Sequence, residues 1–145
     1  MARIRLRKIQ SSDSKFLYEL LKERNPKSFI SHKSLPTYHE HKQFVKSFPY
    51  SRWYVIYFNS VRAGSISITV QNEIGIWILQ KFQNKGIGSK ALEILIQKSP
   101  TKRYLANINP KNKESMEFFE KHNFKLIQYT FELKNNETKK KNKAI

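Results

Sequence analysis

The stretch EIGIWILQKFQNKGIGSKA, residues 73–91, decides the fold of this chain. Its first part, residues 74–79, is apolar on both faces of a strand, a pattern typical of a central strand that is covered on both sides. The next six residues, 80–85, are mostly polar and cannot continue a buried strand. Gly86 and Gly88 then permit a tight turn, and the apolar residues that recur through 91–96 indicate a helix with one buried face.

This order of strand, polar loop, glycine pair and helix predicts an anion-binding site. The first N–H groups of a helix have no partner within the helix, and the helix dipole is positive at that end. The two glycines leave those amides unshielded by side chains. The stretch therefore predicts a cradle for a phosphate or pyrophosphate group.

Three phosphate-binding motifs share this layout. A Walker loop needs Gly-Lys-Ser/Thr, which the run from Gly86 to Ser89 lacks. The dinucleotide motif Gly-x-Gly-x-x-Ala should follow the first strand and have an acid about 20 residues on, whereas residues 105–109 contain none. The third motif, Gln/Arg-x-x-Gly-x-Gly/Ala, fits at Gln83, Gly86 and Gly88. An ordinary glycine turn is the alternative, so the rest of the chain must decide.

Composition bounds the class of protein. The 145 residues suffice for one domain with a real core. Cysteine is absent, which excludes thiol catalysis and disulfides, and no segment is long or apolar enough to cross a membrane; together these favour a cytoplasmic enzyme. The net charge of +17 suits a polyanionic partner, but much of the excess lies in a lysine-rich tail, residues 134–145, that we expect to be disordered. Nucleic acid is therefore a possible but not a favoured partner.

The periodicity along the chain predicts the element order βααβββαβαβ, an α/β fold with a mixed sheet. The first three central strands, 52–58, 61–70 and 74–79, are joined by two tight turns, which favours antiparallel pairing, whereas the helix after the glycines makes strands four and five parallel. Thr37 and Glu40 form a capping box, Asn109 and Pro110 are predicted to begin the last helix, and Asn123 is predicted to end it. The predicted strands span residues 3–9, 52–58, 61–70, 74–79, 103–108 and 124–133, and the predicted helices span about 13–24, 37–48, 87–99 and 110–122.

That order, with the Gln83–Gly88 motif at the exit of the fourth strand, resembles the GNAT superfamily of acetyl-CoA-dependent N-acetyltransferases. A second motif of the family agrees: Asn112 and Ser115, then Phe119 and the pair Asn123-Phe124. The resemblance covers about residues 2–133, so we expect an acetyltransferase domain over 1–133 followed by the tail. Two motifs at the right separation are more specific than either alone.

The resemblance implies acetyl-CoA as cofactor and a site in the gap where strands four and five splay apart. An amide near Leu79 would point at the thioester oxygen, where it stabilises developing negative charge. The backbone would hold the pyrophosphate, and the pantetheine arm would pair along the strand. The implied cofactor-binding residues are Trp77, Ile78, Leu79, Gln83, Asn84, Lys85, Gly86, Ile87, Gly88, Ser89, Asn107, Asn112, Ser115 and Phe119.

Two catalytic groups follow from the same resemblance, with Glu73 and Leu79 as the expected catalytic residues. Glu73, at the start of the strand, would take a proton from the amine directly or through water, since a primary amine is protonated at neutral pH. A solvent-exposed strand-end carboxylate is the alternative. The family's usual tyrosine, which protonates the leaving thiolate, aligns with Phe119, so water or Tyr129 would act instead, or the thiolate would leave unassisted. A seventh strand is missing or comes from a partner subunit, which makes a homodimer possible.

The acceptor side, formed in this fold by the first two helices and their loop, holds His32, Tyr38 and His41, and with Glu73 these are the expected acceptor-binding residues. His39 and His41 cannot share a helical face, so we expect no metal. A surface loop is the alternative. The sequence thus predicts acetyl transfer to a primary amine of a small molecule or peptide, such as an aminosugar or a protein N-terminus. The alternatives are a basic nucleic-acid-binding module and a catalytically idle acyl-CoA-binding protein.

Overall fold

The computed structural model describes residues 3–24 and 35–135. It contains four strands and four α-helices over those residues. The strands are β1 (Ile4–Lys8), β2 (Arg52–Phe58), β3 (Val61–Ile68) and β4 (Ile74–Ile78), and the helices are α1 (Ser14–Lys22), α2 (Tyr38–Lys46), α3 (Ile87–Lys98) and α4 (Lys113–Lys121). A short 3₁₀ turn, Gln80–Phe82, lies between β4 and α3.

The four strands form one antiparallel sheet in the order β1-β2-β3-β4. In β3 and β4, Gly64 lies opposite Ile78, and Ile68 lies opposite Ile74. Successive side chains of a strand point to opposite faces, so the isoleucines of β4 share one face while Gly75 and Trp77 share the other. The sheet therefore presents two different surfaces to the helices that flank it.

The larger core lies on the isoleucine face. Its buried residues are Tyr54, Ile56, Ala63, Ile66, Ile68, Ile74, Ile87, Ala91, Leu92, Leu95 and Phe119, with α3 and α4 covering the sheet. The smaller core lies on the opposite face, where α1 and α2 bring Leu17 and Val45 against Ile9 and Val55. Most apolar positions of the predicted helices and strands are buried in one of these two cores, but Val70, in the predicted strand 61–70, and Phe48, at the end of the predicted helix 37–48, are exposed.

Asp13, at the start of α1, fixes this helix to the sheet. Its buried carboxylate accepts hydrogen bonds from Arg7, 2.8 Å away, and from Arg62, 3.2 Å away. Burial alone would raise the pKa of Asp13, but the bonds from Arg7 and the Gln10 amide outweigh it, so the pKa is lowered. The anchored helix runs back across the sheet, which brings its last residues to the exit of β4.

Helix ends confirm two of the three predicted caps. The Thr37 hydroxyl oxygen accepts a hydrogen bond from the Glu40 amide, and the Glu40 carboxylate accepts one from the Thr37 amide, as the capping box requires. Asn123 has φ of 70° after α4, in the left-handed region. The third prediction is wrong: α4 begins after Asn112, whose side chain accepts from the Ser115 amide, while Asn109 caps only a turn through Lys111.

The fifth and sixth predicted strands are not strands in this structure. Residues 103–108 make a single parallel bridge, between Leu105 and Glu73. Residues 124–133 form no helix or strand and pair with no strand of the described chain. A period-two pattern is necessary for a strand but cannot supply the neighbour that it pairs with. Of the predicted tail, residues 136–145 lie outside the described residues.

Candidate active site

A wedge opens between β4 and the segment 105–109. At its closed end, the Ile74 amide donates to the Leu105 carbonyl, and the Leu105 amide donates to the Asn72 carbonyl, both at 2.8 Å. No further backbone bond joins β4 to this segment within the described chain. The two segments therefore hold together at one end only, which leaves backbone groups of β4 facing the gap.

The direction of each β4 amide follows from its pairing with β3. The Leu79 amide donates to the Ala63 carbonyl at 2.8 Å, on the β3 side. Amide directions alternate along a strand, so the amides of Ile76 and Ile78 point the other way, into the wedge. The prediction that the Leu79 amide faces the acyl group is contradicted by this bond. Ile76 and Ile78 are the residues whose amides have the required direction.

The loop after β4 is fixed by three bonds around its first turn. The Gln83 side chain donates to the Ile78 carbonyl at 3.1 Å, so the motif glutamine ties the loop back to the strand. The Phe82 amide donates to Leu79, and the Gln80 amide donates to the Glu23 carboxylate at 2.8 Å. The last of these links joins the end of α1 to the mouth of the wedge.

The glycine loop leaves a row of amides unused. The first helical bond of α3 runs from the Lys90 amide to the Gly86 carbonyl. Within the described chain, no backbone N–H of residues 84–89 donates to another protein group. Gly86 has φ of 76°, and a Cβ built there would meet nothing within 4 Å. These amides therefore have no protein acceptor within the described chain, and they lie at a helix N-terminus, where an anion is stabilised.

The remaining motif residues have separate roles. A Cβ on Gly88 would come within 3.3 Å of the Phe118 ring, so this glycine allows α3 to pack against α4. Ile87 is fully buried, and only its backbone can face the cradle. The Ser89 hydroxyl lies 2.9 Å from the His122 Nε2, a contact between the same two helices.

Glu73 lies at the closed end of the wedge, where both of its carboxylate oxygens accept hydrogen bonds. Its Oε1 accepts a hydrogen bond from the Thr69 hydroxyl at 3.1 Å, and its Oε2 accepts one from the Asn107 side chain at 2.7 Å. Asn107, predicted to line the cofactor arm, thus binds Glu73 across the wedge. On the strand, Glu73 shares its face with Gly75 and Trp77, the face that α1 and α2 cover.

That face also holds a cation which the sequence did not reveal. The Arg24 guanidinium lies 3.5 Å from the centre of the Trp77 ring. Burial lowers the pKa of Arg24 to about 10, while nearby Tyr50 raises it, so Arg24 is charged at neutral pH. Burial raises the pKa of Tyr50, and the charge of Arg24 lowers it. No local pattern marks Glu23 or Arg24, because each acquires its partner only through the packing of α1 on the sheet.

Of the predicted acceptor residues, Tyr38 and His41 both pack against the Tyr18 ring, while no contact of the described residues joins them to Glu73. His41 is only 6% exposed and packs between Tyr18 and Phe44, and within the described chain its Nε2 has no hydrogen-bond partner. Burial lowers the pKa of His41. Tyr38 is more exposed and packs edge-on against Tyr18, while His32 lies outside the described residues. No three metal-ligating side chains of the described chain are grouped.

The second motif serves α4 rather than the open wedge. Asn112 caps the helix by accepting from the Ser115 amide at 3.2 Å. Phe119 is buried in the larger core, with its ring edge-on to Phe118 and Phe124. These contacts explain the motif structurally and show no direct approach of Phe119 to the gap.

A match to a family model identifies the family of this chain. The model described as the acetyltransferase (GNAT) family matches residues 15–124, which include the wedge, the glycine loop and α4. The chain belongs to the GNAT acetyltransferase family. No curated protein sequence matches it. In the described residues of this GNAT protein, no helix is long and apolar enough to cross a membrane.

Solved structures show the same fold. A domain from Methanocaldococcus jannaschii is 24% identical, with a TM-score of 0.78 over 91% of this chain and 94% of that one. RimL, a ribosomal L7/L12 alpha-N-protein acetyltransferase solved with coenzyme A, is 21% identical, with a TM-score of 0.72 over 86% and 81%. An aminoglycoside N-acetyltransferase solved with coenzyme A is 12% identical, with a TM-score of 0.71 over 94% and 97%. The predicted α/β GNAT fold is confirmed.

Proposed function

We propose that this GNAT protein transfers the acetyl group of acetyl-CoA to a primary amine by direct attack while both substrates are bound. The observation that carries the proposal is the row of unused amides at residues 84–89, next to a wedge with two further inward-facing amides. An adenine-nucleotide diphosphate suits the first feature, and an extended amide-containing arm suits the second. Acetyl-CoA has both parts, joined in this order, and ends in a thioester.

Different groups of the chain would bind different parts of acetyl-CoA. The amides of Asn84 to Ser89 would hold the pyrophosphate, with Lys85 close by as a counter-charge. The β4 backbone from Ile76 to Ile78 would pair with the arm like a neighbouring strand. The Ile76 amide is the donor we propose for the carbonyl oxygen of the thioester, the end of the arm farthest from the pyrophosphate, where charge develops during attack. Gln83 would keep this strand end in register by its bond to Ile78.

Glu73 is our proposed acceptor for the amine proton. It lies on the α1–α2 face of β4, and Gly75, the next residue on that face, leaves the path toward Trp77 free of a side chain. Glu73 is about 10 Å along the strand from Ile76, at about 3.3 Å for each residue, so it would act through water. Its bonds to Thr69 and Asn107 would fix its orientation. Glu23, bonded to Gln80, would instead position the loop.

The leaving thiolate would depart without a tyrosine. Phe119 has no hydroxyl and is buried in the core, and Tyr129 lies on an exposed segment with no described contact to the wedge. A thiol pKa near 8.5 makes the thiolate a tolerable leaving group, and water can protonate it. We therefore expect activity without an internal acid.

The acceptor class follows from the fold's neighbours and from this chain's α1–α2 face. RimL is named for acetylating a protein N-terminus and another neighbour for acetylating aminoglycosides, so the fold serves both kinds of amine. Here the face contains Trp77 with the Arg24 cation above it, and aromatic rings of Tyr50, Phe44 and Trp53 nearby. An aminosugar or an N-terminal peptide would meet such a surface better than a polycation would.

The deciding experiment measures free-thiol release from acetyl-CoA with a panel of aminosugars, polyamines, amino acids and peptides. We expect release with at least one acceptor, and thermal stabilisation by acetyl-CoA but not by NAD or ATP. No stabilisation at saturating acetyl-CoA would refute cofactor binding. Stabilisation without release for any amine would leave binding intact and instead indicate an idle acyl-CoA-binding protein.

A further inference from the structure

A positive charge is held in place on the α1–α2 face of β4. The Arg24 guanidinium carbon lies 3.5 Å from the centre of the Trp77 ring. At this distance the cation is in van der Waals contact with the ring, and cation–π attraction stabilises the contact. Burial lowers the pKa of Arg24 to about 10, so the group keeps its charge at neutral pH. A charge that packing holds in position can select between ligands.

This charge lies at the level of the proposed reaction centre. Trp77 directly follows Ile76, whose amide is our proposed donor to the thioester oxygen, and successive residues of a strand rise by about 3.3 Å. Glu73, the proposed proton acceptor, lies on the same face of the strand, toward its closed end. The acceptor amine would therefore attack between Glu73 on one side and Arg24 on the other.

Further cations lie near Tyr50. A cleft of about 370 Å³ is lined by Tyr50 and Trp53 together with the cations Lys8 and Arg52. Tyr50 also lies close enough to Arg24 for the charge of Arg24 to lower the pKa of the Tyr50 hydroxyl, against the effect of burial. Tyr50 thus borders two groups of positive charge, and no aspartate or glutamate of the described chain lines the cleft.

Positive charge in this position discriminates between kinds of amine. A second ammonium group on the acceptor would be repelled by Arg24, whereas a carboxylate or phosphate would be attracted and would accept hydrogen bonds from its guanidinium. The net charge of +17 acts in the same direction at longer range. Polyamines and multiply charged aminosugars therefore fit this face poorly, and amines with a nearby oxyanion fit it well.

We propose that the acceptor carries an oxyanion, a carboxylate or a phosphate, close to its amine, and that Arg24 binds this group. This acceptor class rests on the acetyl transfer proposed above and narrows it. A guanidinium binds two oxygens of a carboxylate or phosphate through parallel N–H groups, which fixes the orientation of the bound molecule. With Arg24 held against Trp77, the bound oxyanion would position the amine beside the thioester.

The test compares acceptors in matched sets. One set contains peptides of equal length with aspartate, asparagine or lysine as second residue, and the other contains glucosamine with and without a 6-phosphate. Calorimetry with coenzyme A, which has no acetyl group to transfer, measures acceptor affinity, and thiol release from acetyl-CoA measures kcat/KM. We expect the anionic member of at least one set to bind about tenfold or more tightly than its neutral match. The set with the larger preference identifies carboxylate or phosphate as the preferred group.

Variants of α1 assign the preference to one residue. Arg24→Gln should abolish the preference for the anionic acceptor, and Arg24→Lys should retain part of it, because a lysine keeps the charge but not the paired N–H groups. Lys22→Gln removes an exposed cation of the same helix and is the matched control, with the full preference expected. Acetyl-CoA affinity should be unchanged in all three variants, which checks that they fold.

The outcomes separate this acceptor class from the reaction itself. Equal affinities within both sets, no binding of any acceptor, or the same loss of preference in Lys22→Gln would each overturn the role of Arg24. Thiol release that favours neutral or cationic amines would overturn it as well and leave acetyl transfer intact. Anion binding that depends on Arg24, without thiol release, would support the site and refute the proposed transfer.

Discussion

The two ends of β4 differ in how their backbone and side-chain groups are used. At the Glu73 end, the strand is bonded on both sides, to β3 and to Leu105, and the carboxylate has two donors of its own. At the Ile78 end, β3 occupies one side only, while the other side faces the wedge and the unused amides of residues 84–89. One strand thus has a closed, fully bonded end and an open end.

The contrast shows how one strand can be held in place at one end and bind a ligand at the other. Bonds on both sides at the closed end set the position of β4, so the open end does not need a second neighbour to hold its shape. Backbone donors left without a protein partner at a defined position are preorganised for a ligand, since little reorganisation is needed when it binds. Substitutions at each end should therefore affect different measured quantities.

The largest effect is expected from charge at the open end. Gly86→Asp places a carboxylate beside the cradle, whereas Gly86→Asn adds nearly the same bulk and tolerates the left-handed backbone of this position. At about 4 Å, like charges near a protein surface repel by roughly 4 kcal/mol. We expect Asp to weaken acetyl-CoA binding by roughly 100-fold or more relative to Asn, as measured by calorimetry. Equal acetyl-CoA affinities of the two variants would show that the phosphate groups do not bind at this loop.

The second prediction compares Glu73, at the closed end of β4, with Glu23, whose carboxylate accepts the Gln80 amide at the open end. Glu73→Gln should lower kcat/KM by roughly 100-fold, the lower range for loss of a general base, and leave acetyl-CoA affinity unchanged. Glu23→Gln keeps an oxygen to accept the Gln80 amide and should have near wild-type kinetics. The deficit of Glu73→Gln should shrink as pH rises toward the pKa of the acceptor amine, because a neutral amine needs no base. A larger loss of kcat/KM in Glu23→Gln than in Glu73→Gln would indicate that Glu23 is the proton acceptor.

The third comparison uses the two glycines of the β3–β4 pair. A Cβ at Gly64, opposite Ile78, would collide with the Trp77 carbonyl, while a Cβ at Gly75 would make an ordinary contact, 3.4 Å from the Ser67 hydroxyl. Gly64→Ala should cost about 2–3 kcal/mol of stability and lower Tm by roughly 10 °C. Gly75→Ala should keep Tm but lower kcat, because it fills the path between Glu73 and Trp77. Similar melting temperatures for both variants would refute the tight approach at the open end.

The smallest effect is expected from Asn107→Ala, which removes one of the two donors to Glu73. Acetyl-CoA affinity should not change, because the binding amides lie at the other end of the strand. We expect only a few-fold loss of kcat, since the Thr69 hydroxyl still orients the carboxylate. Asn107→Asp, with a repelling carboxylate in the same place, should reduce kcat further. A large rise in KM for acetyl-CoA with Asn107→Ala would instead place Asn107 beside the cofactor.

The sequence alone determined the features that depend on a few neighbouring residues. The glycine spacing after an apolar strand predicted the turn at Gly86, and the Thr37–Glu40 pair predicted a helix start, both confirmed. The apolar residues 74–79 predicted a central strand covered on both faces; both faces of β4 are covered, but β4 is the last strand of the described sheet. Such signals are local because turn geometry, capping and side-chain direction depend on backbone angles over one or two turns.

Tertiary structure alone decided the features that require two distant segments. The sequence pointed to an amide near Leu79 as the inward one, but register with β3 assigns that direction to Ile76 and Ile78, because pairing fixes which side each N–H faces. Arg24 reaches Trp77 only because Asp13 anchors α1 across the sheet, and His41 is buried by rings that no periodic pattern connects. A strand pattern at residues 124–133 likewise could not say what it pairs with, since a strand is completed only by its neighbour.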